Sequence, residues 1–211
     1  MTTTIRNVVF DVGGVLLELR YEPFIRHLAQ AGIDMRDLPA WLTRVDLAGH
    51  ERGELAGEEL LGRIAAMAAR PLDAADLRER WLDMFERSEE MFALAAGLMG
   101  EYRVFLLSNA GDLHWQHFDR LYGLDTLVHG ACASFRVRAI KPDRDIYRKA
   151  EAMFGLDPAA TVFIDDLEPN VIGARACGWQ AIHHRQPRTT REELRALGVR
   201  LPAPFAIEQE P

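Results

Sequence analysis

The sequence predicts an α/β fold, an open parallel sheet interrupted by an all-helical insertion. Short apolar runs that read as buried strands alternate with helical segments through the second half of the chain. A similar run, Val8-Val9-Phe10, stands near the N-terminus and ends on Asp11, with Gly13 and Gly14 just beyond. Between them, Leu16 to about Arg87 reads as helix with no good strand candidate. That is far more chain than a plain βα crossover needs.

Within the insertion, Phe24, Ile25, Leu28 and Ala29 lie at helical spacing and Gly32 is a stop. Leu38 to Val45 is a second helix, and His50 to Leu55 reads as a polar loop. Glu58 to Ala69 places Leu60, Leu61, Ile64 and Met67 on one face, and Pro71 ends the pattern. Asp73 is a good N-cap for a fourth helix carrying Leu77, Trp81, Met84 and Phe85.

The alternation then resumes. Met91 to Met99 is helical, and Tyr102 to Leu107 is a strand ending in Ser108-Asn109. Asp112 to Tyr122 is a helix, and Thr126 to Ala131 reads as a strand. Lys141-Pro142 opens the helix Asp143 to Phe154, since Pro suits a first helical position. Thr161 to Ile164 is a strand ending in Asp165-Asp166, followed by a helix from Pro169 to Ala176 and a strand from Trp179 to His183. Thr190 is the expected cap of a last helix, Arg191 to Leu197, and Pro202, Pro204 and the Glu-Gln-Glu-Pro end suggest a loose tail.

Composition excludes several classes. The 211 residues, 48% apolar and 27% charged, suit a soluble globular protein with one sizeable domain. A net charge of −7 argues against a broad nucleic-acid surface. No run approaches the ~20 apolar residues of a membrane span, and the N-terminus shows no secretory leader. Cys132 and Cys177 read as buried free thiols, so a cytoplasmic setting is expected, with a monomer or homodimer as the assembly.

Three strands end in polar residues of a particular kind: Asp11, Ser108-Asn109 and Asp165-Asp166. Lys141 stands at a helix start between the last two. In a parallel sheet all strand C-termini share one edge, where open α/β sheets place ligands. Carboxylates gathered there cannot all stay ionised without a cation, and oxygen donors alone suit Mg²⁺. Ser, Asn and Lys are donors fit for phosphate oxygens. The chemistry that fits is attack by Asp11 on phosphorus to give an aspartyl-phosphate, then hydrolysis. His114, His117, His183 and His184 lack metal-ligand partners at telling spacing and read as surface or packing residues, and Trp41 and Trp81 read as core.

Phe10-Asp11-Val12-Gly13-Gly14-Val15, Leu107-Ser108-Asn109, Lys141-Pro142 and Ile164-Asp165-Asp166-x-x-x-Asn170 resemble, in order, the four motifs of the haloacid dehalogenase-like hydrolase superfamily. The resemblance covers essentially the whole chain. It implies a Rossmann-like parallel sheet core, residues 1–15 and 88–211, with an inserted helical cap at 16–87. It implies Asp11 as nucleophile, Ser108 and Lys141 as phosphate-binding, and Asp11, Asp166, Asp165 and the Gly13 carbonyl as Mg²⁺ ligands; Asn109, by its donor chemistry, joins the expected substrate-binding residues. The His50 to Glu54 segment and the Lys-Pro pattern reaching Tyr147 are similar to those of bacterial sugar-1-phosphate phosphatases.

The expected activity is Mg²⁺-dependent hydrolysis of a small phosphorylated metabolite, a sugar phosphate, with His50 and Arg52 of a mobile cap shaping the substrate profile. A phosphate-binding or regulatory protein with little turnover and a metal-independent 2-haloacid dehalogenase are the alternatives. A response-regulator receiver fits poorly, because it needs its acidic pair at the first strand. One departure matters: most phosphatases of the superfamily carry an acid two residues after the nucleophile, and here that residue is Gly13. A glycine cannot protonate a leaving oxygen. The expectation is a modest catalyst preferring sugar 1-phosphates or acyl phosphates, unless another residue such as His50 supplies the proton.

Overall fold

A computed structural model describes residues 4–203; Pro204 and the Glu-Gln-Glu-Pro end lie outside them. The chain opens with β1 (Asn7–Phe10) and β2 (Leu17–Leu19). Five helices follow: α1 (Glu22–Gln30), α2 (Leu38–Val45), α3 (Leu47–Glu51), α4 (Gly57–Ala66) and α5 (Ala74–Leu82). Next come β3 (Phe85–Arg87), α6 (Glu89–Leu98), β4 (Arg103–Ser108), α7 (Asp112–Tyr122) and α8 (Leu124–Leu127). Then come β5 (Ala131–Ala133), α9 (Ser134–Val137), α10 (Arg144–Phe154), β6 (Thr161–Asp165), α11 (Glu168–Ala176), β7 (Gln180–His183) and α12 (Pro187–Ala196).

Five strands form one parallel sheet in the order β5-β4-β1-β6-β7. β1 lies at its centre, with Phe10 level with Leu106 on one side and Ile164 on the other. Strand residues alternate between two buried layers. Val8, Phe10, Val104, Leu106, Val162 and Ile164 pack with Leu94, Leu98, Trp115 and Leu194. Val9, Phe105, Leu107 and Phe163 pack with Ile146, Tyr147, Ala150 and Val171. Burying one such side chain contributes roughly 1.5–3 kcal/mol. An exposed ion pair such as Arg6–Asp157 contributes about 0–1 kcal/mol, so the two apolar layers hold the sheet.

The insertion is helical, as expected, but it is bounded by two strands. β2 and β3 pair antiparallel, Leu17 opposite Arg87. Three residues are too few to show a period, which is why neither strand is visible in the sequence. Its five helices close over Phe24, Leu28, Trp41, Leu60, Ile64, Leu77 and Trp81, and Leu113 of α7 completes that core. Asp37 and Asp73 cap α2 and α5 by accepting from Ala40 N and Asp76 N.

Four further expectations are corrected. The segment expected as a strand at Thr126 to Ala131 begins as the end of α8, and β5 is shifted to Ala131–Ala133. Pro142 is not a first helical residue; the Lys141–Pro142 peptide is cis and α10 begins at Arg144. Thr190 is not a cap. It lies inside α12, buried, and bonds His184 Nδ1 at 2.7 Å. His50 is not in a loop but buried within α3. Cys132 and Cys177 are buried and unbridged, and among the described residues no helix is long and apolar enough to cross a membrane.

His114 shows what the interface between insertion and core demands. Its ring stacks on Trp81 at 4.7 Å and on Phe118 at 5.4 Å between centroids. Its Nε2 donates to the Trp81 carbonyl at 2.7 Å. Burial holds its pKa down at about 4, from an ordinary 6.5, against the opposing effect of that bond. The unfolded chain therefore takes up this proton first as pH falls. The contribution is complete above pH 6.5 and is lost toward pH 4, about 3 kcal/mol in all. Buried carboxyls that protonate in the same window act with the opposite sign, so the check is a difference: the gap in urea midpoint between wild type and a His114→Asn variant should shift against wild type as pH falls from 6.5 to 5.

Candidate active site

The sheet register fixes the site. Asp11 follows β1 directly, and its N–H donates to Ile164 O at 2.9 Å, holding it level with the end of β6. Asp11 Oδ1 accepts from Val12 N at 2.7 Å. Its Oδ2 receives Lys141 Nζ at 2.7 Å, and the same ammonium reaches Asp165 Oδ2 at 2.6 Å. Lys141, Asp11 and Asp165 are all buried. Their strands and turn meet only because β1 and β6 are neighbours and end together.

Lys141 is held by its backbone as well. Its N–H donates to Asn109 Oδ1 at 2.8 Å, and its carbonyl accepts from Asn109 Nδ2 at 3.0 Å. Asn109, expected to bind phosphate, thus positions the lysine. Asp165 is also committed: Leu167 N donates to its Oδ1 at 2.8 Å and Asn170 Nδ2 at 2.9 Å. Asn170 is fixed in turn by Tyr147, whose hydroxyl donates to its carbonyl at 2.7 Å. Ser108 is buried at the end of β4.

Asp166 is placed differently. It is half-buried, and its carboxyl lies over Gly14. Gly14 has φ +74°, and a Cβ there would overlap the Asp166 carboxyl, so the turn after Asp11 requires glycine twice over. His183 Nε2 donates to the Asp166 carbonyl at 2.8 Å and fixes its backbone. Asp11, Asp165 and Asp166 each offer an oxygen within 4.8 Å of the others.

Three carboxylates face one ammonium. Burial lifts Asp11 well above the usual carboxylate range, with Asp165 and Asp166 adding to the rise and Lys141 opposing it. Burial and then Asp165 also raise Asp166. Burial works against the charged form of Asp165 too, but Lys141 and the donors from Leu167 and Asn170 outweigh it and lower its pKa. This all-oxygen set with excess negative charge fits a hard divalent cation.

Two residues of the neighbourhood were not among the expected site residues, although Glu51 lies in the His50 to Glu54 segment. Ser134 Oγ lies 2.5 Å from the Glu51 carbonyl and accepts from Ala110 N at 2.9 Å, joining α3 to the loop after β4. Glu51 thereby sits beside the site, its pKa pushed up to about 7 by burial, against the pull of Lys141 and Arg52. His50 instead turns into the protein. Its Nδ1 lies 3.0 Å from the Leu55 carbonyl, and its ring fills the space that a Cβ on Gly111 would take. His114 and His184 are packing residues, as expected.

The haloacid dehalogenase-like hydrolase family matches residues 5–178 of this chain. A sesquiterpene phosphatase of Aspergillus oryzae, astK, is 28% identical over 202 residues, covering 93% of this chain and 98% of that protein. A D-ribitol-5-phosphate phosphatase of Bacteroides thetaiotaomicron is 22% identical over 207 residues, covering 92% and 98%. A HAD family enzyme of the same bacterium, solved in complex with magnesium and inorganic phosphate, is similar in structure with a TM-score of 0.75. Its identity is 24%, over 86% of this chain and 94% of that one.

Asn109→Ala should leave two buried backbone groups of Lys141 without partners. The expected loss of stability is about 1–3 kcal/mol for each group that stays unsatisfied. Denaturant unfolding checks this, and a change under 0.5 kcal/mol would show that water replaces the clamp.

Proposed function

The chain belongs to the haloacid dehalogenase-like hydrolase family, and from that premise we propose a Mg²⁺-dependent phosphatase of a small phosphorylated metabolite, a sugar or polyol phosphate, working through an aspartyl-phosphate on Asp11. The observation that carries the reading is Asp11 at the end of β1, 2.7 Å from Lys141 and grouped with Asp165 and Asp166. The phosphatase names of two relatives support it.

Asp11 attacks phosphorus with one carboxylate oxygen. Lys141, anchored by Asp165 and Asn109, holds its charge against the attacking oxygen and the phosphoryl group. The Ser108 hydroxyl donates to a phosphate oxygen. Asp11, Asp166 and the Gly13 carbonyl would hold magnesium, which when bound supplies positive charge against the phosphate oxygens. Asp165 is assigned to Lys141 rather than to the metal, because its oxygens already accept from Lys141, Leu167 and Asn170. The helical module between β2 and β3 is assigned the role of a cap that limits water and selects substrate.

A screen of phosphorylated metabolites with and without Mg²⁺ tests the reading. Asp11→Asn should lower kcat on the best substrate by at least about 10³-fold while leaving the unfolding midpoint little changed, on the scale of nucleophile removal elsewhere. EDTA should abolish turnover and Mg²⁺ restore it, with Ca²⁺ a poor substitute. Full activity in EDTA would point instead to carbon–halogen chemistry.

A further inference from the structure

We propose that Glu51, carried on the helical module, is the general acid and base of this phosphatase, supplying from across the interface the proton that Gly13 cannot supply. The inference rests on the phosphatase reading and deepens it. Two features of the structure lead to it. The module brings a carboxyl to the strand-end edge. Glu51 is the last residue of α3, and Ser134 ties its carbonyl to Ala110, two residues past Ser108. That tie fixes the Glu51 backbone beside the ends of β4 and β5.

The surroundings leave this carboxyl uncommitted. The charged groups acting on it are Lys141, which also contacts Asp11, and Arg52 of its own segment. Among the described residues neither cation is within ion-pairing distance of it, and no hydrogen bond engages it. The elements packed against α3 are α2, α4 and α9; of their charged residues, Arg63 pairs with Asp46 and Glu59, Glu58 with Arg78 and Arg136 with Asp125, and neither these nor Arg44 act on the Glu51 carboxyl. A carboxyl that is desolvated and close to a catalytic lysine, but not paired with it, is free to exchange a proton near neutral pH. Its pKa of about 7 agrees with that task. His50, its neighbour, turns away toward Gly111 and Leu55 and does not compete for the role.

The steps balance. In the first, an Asp11 oxygen bonds to phosphorus, the ester P–O bond breaks, and Glu51 gives its proton to the departing oxygen, releasing the alcohol. In the second, the Glu51 carboxylate takes a proton from water as the water oxygen bonds to phosphorus. The Asp11–phosphorus bond breaks, inorganic phosphate leaves, and Glu51 is again protonated. Alkyl phosphates with poor leaving groups then lie within reach, so the missing acid at Gly13 does not confine the enzyme to sugar 1-phosphates or acyl phosphates.

The test compares full-length wild type, Glu51→Gln and Glu51→Asp, all with Mg²⁺, on 2,4-dinitrophenyl phosphate, phenyl phosphate and ribitol 5-phosphate. Wild type should show a shallow dependence of kcat/KM on leaving-group pKa. Glu51→Gln should lose about 10²–10⁴-fold in kcat/KM on ribitol 5-phosphate, the usual contribution of a general acid, and little in kcat/KM on dinitrophenyl phosphate, whose leaving group needs no proton. Glu51→Asp should recover part of the loss. Wild-type kcat/KM should fall as pH rises through about 7, because the acid must enter the first step protonated, and Glu51→Gln should lack that limb. An equal loss of kcat/KM on all three esters, no loss on any, or a wild-type profile without the limb would overturn the assignment of Glu51 and leave the phosphatase reading standing. Wild type inert toward dinitrophenyl phosphate would overturn both.

Discussion

The ammonium of Lys141, buried between Asp11 and Asp165, is the constraint on which the rest of the site depends. A buried charge that loses one partner costs several kcal/mol, so both carboxylates must be delivered to it accurately. The parallel register does this, since β1 and β6 run level from Asn7 and Thr161 to their ends. The lysine does not come on a strand. It arrives on a turn, and Asn109 clamps that turn from the end of β4. Three strand ends and one turn therefore act as a single rigid frame, and Asp166 alone is left to face the open side.

The sheet and the four motif positions were legible because the signals are local. An apolar run broken by an acid and two glycines shows itself within ten residues, and alternating elements order the motifs without any contact information. What escaped was non-local or very short. β2 and β3 span three residues each, below any readable period. The strand expected at Thr126 to Ala131 is shifted because Thr126 and Leu127 instead finish the helical turn that begins after Gly123, and β5 starts only at Ala131. Asn109 and Asp165 looked like ligand groups by residue type. Only geometry shows that their atoms are already used by Lys141, Leu167 and Asn170. The His50 to Glu54 segment stands out by resemblance, but nothing in it separates Glu51 from His50 and Arg52, because a glutamate in a polar stretch is ordinary until burial and Lys141 are seen beside it.

Docking of the helical module is equally specific. Asp112 accepts from Gly57 N, Leu113 enters the module's core, and His114 bonds Trp81, so three successive residues of α7 grip it. Ser134 and the absence of a side chain at Gly111 set the depth of α3. The distance between the module and the sheet edge is thus set by atoms that take no part in chemistry.

The β2–β3 ribbon also bears on how the chain assembles. β1 must pair with β4, and Asn7 meets Arg103 across a long stretch of sequence. Such pairings are slow because the entropy of closing the loop precedes any gain from contact. Once Leu17 lies against Arg87, everything between them is bypassed, and the effective loop shrinks to the two short arms outside the ribbon. The insertion enters and leaves at one point, so its length adds little to the search that builds the central sheet. A chain that carries five extra helices can in this way keep the folding topology of one that carries none.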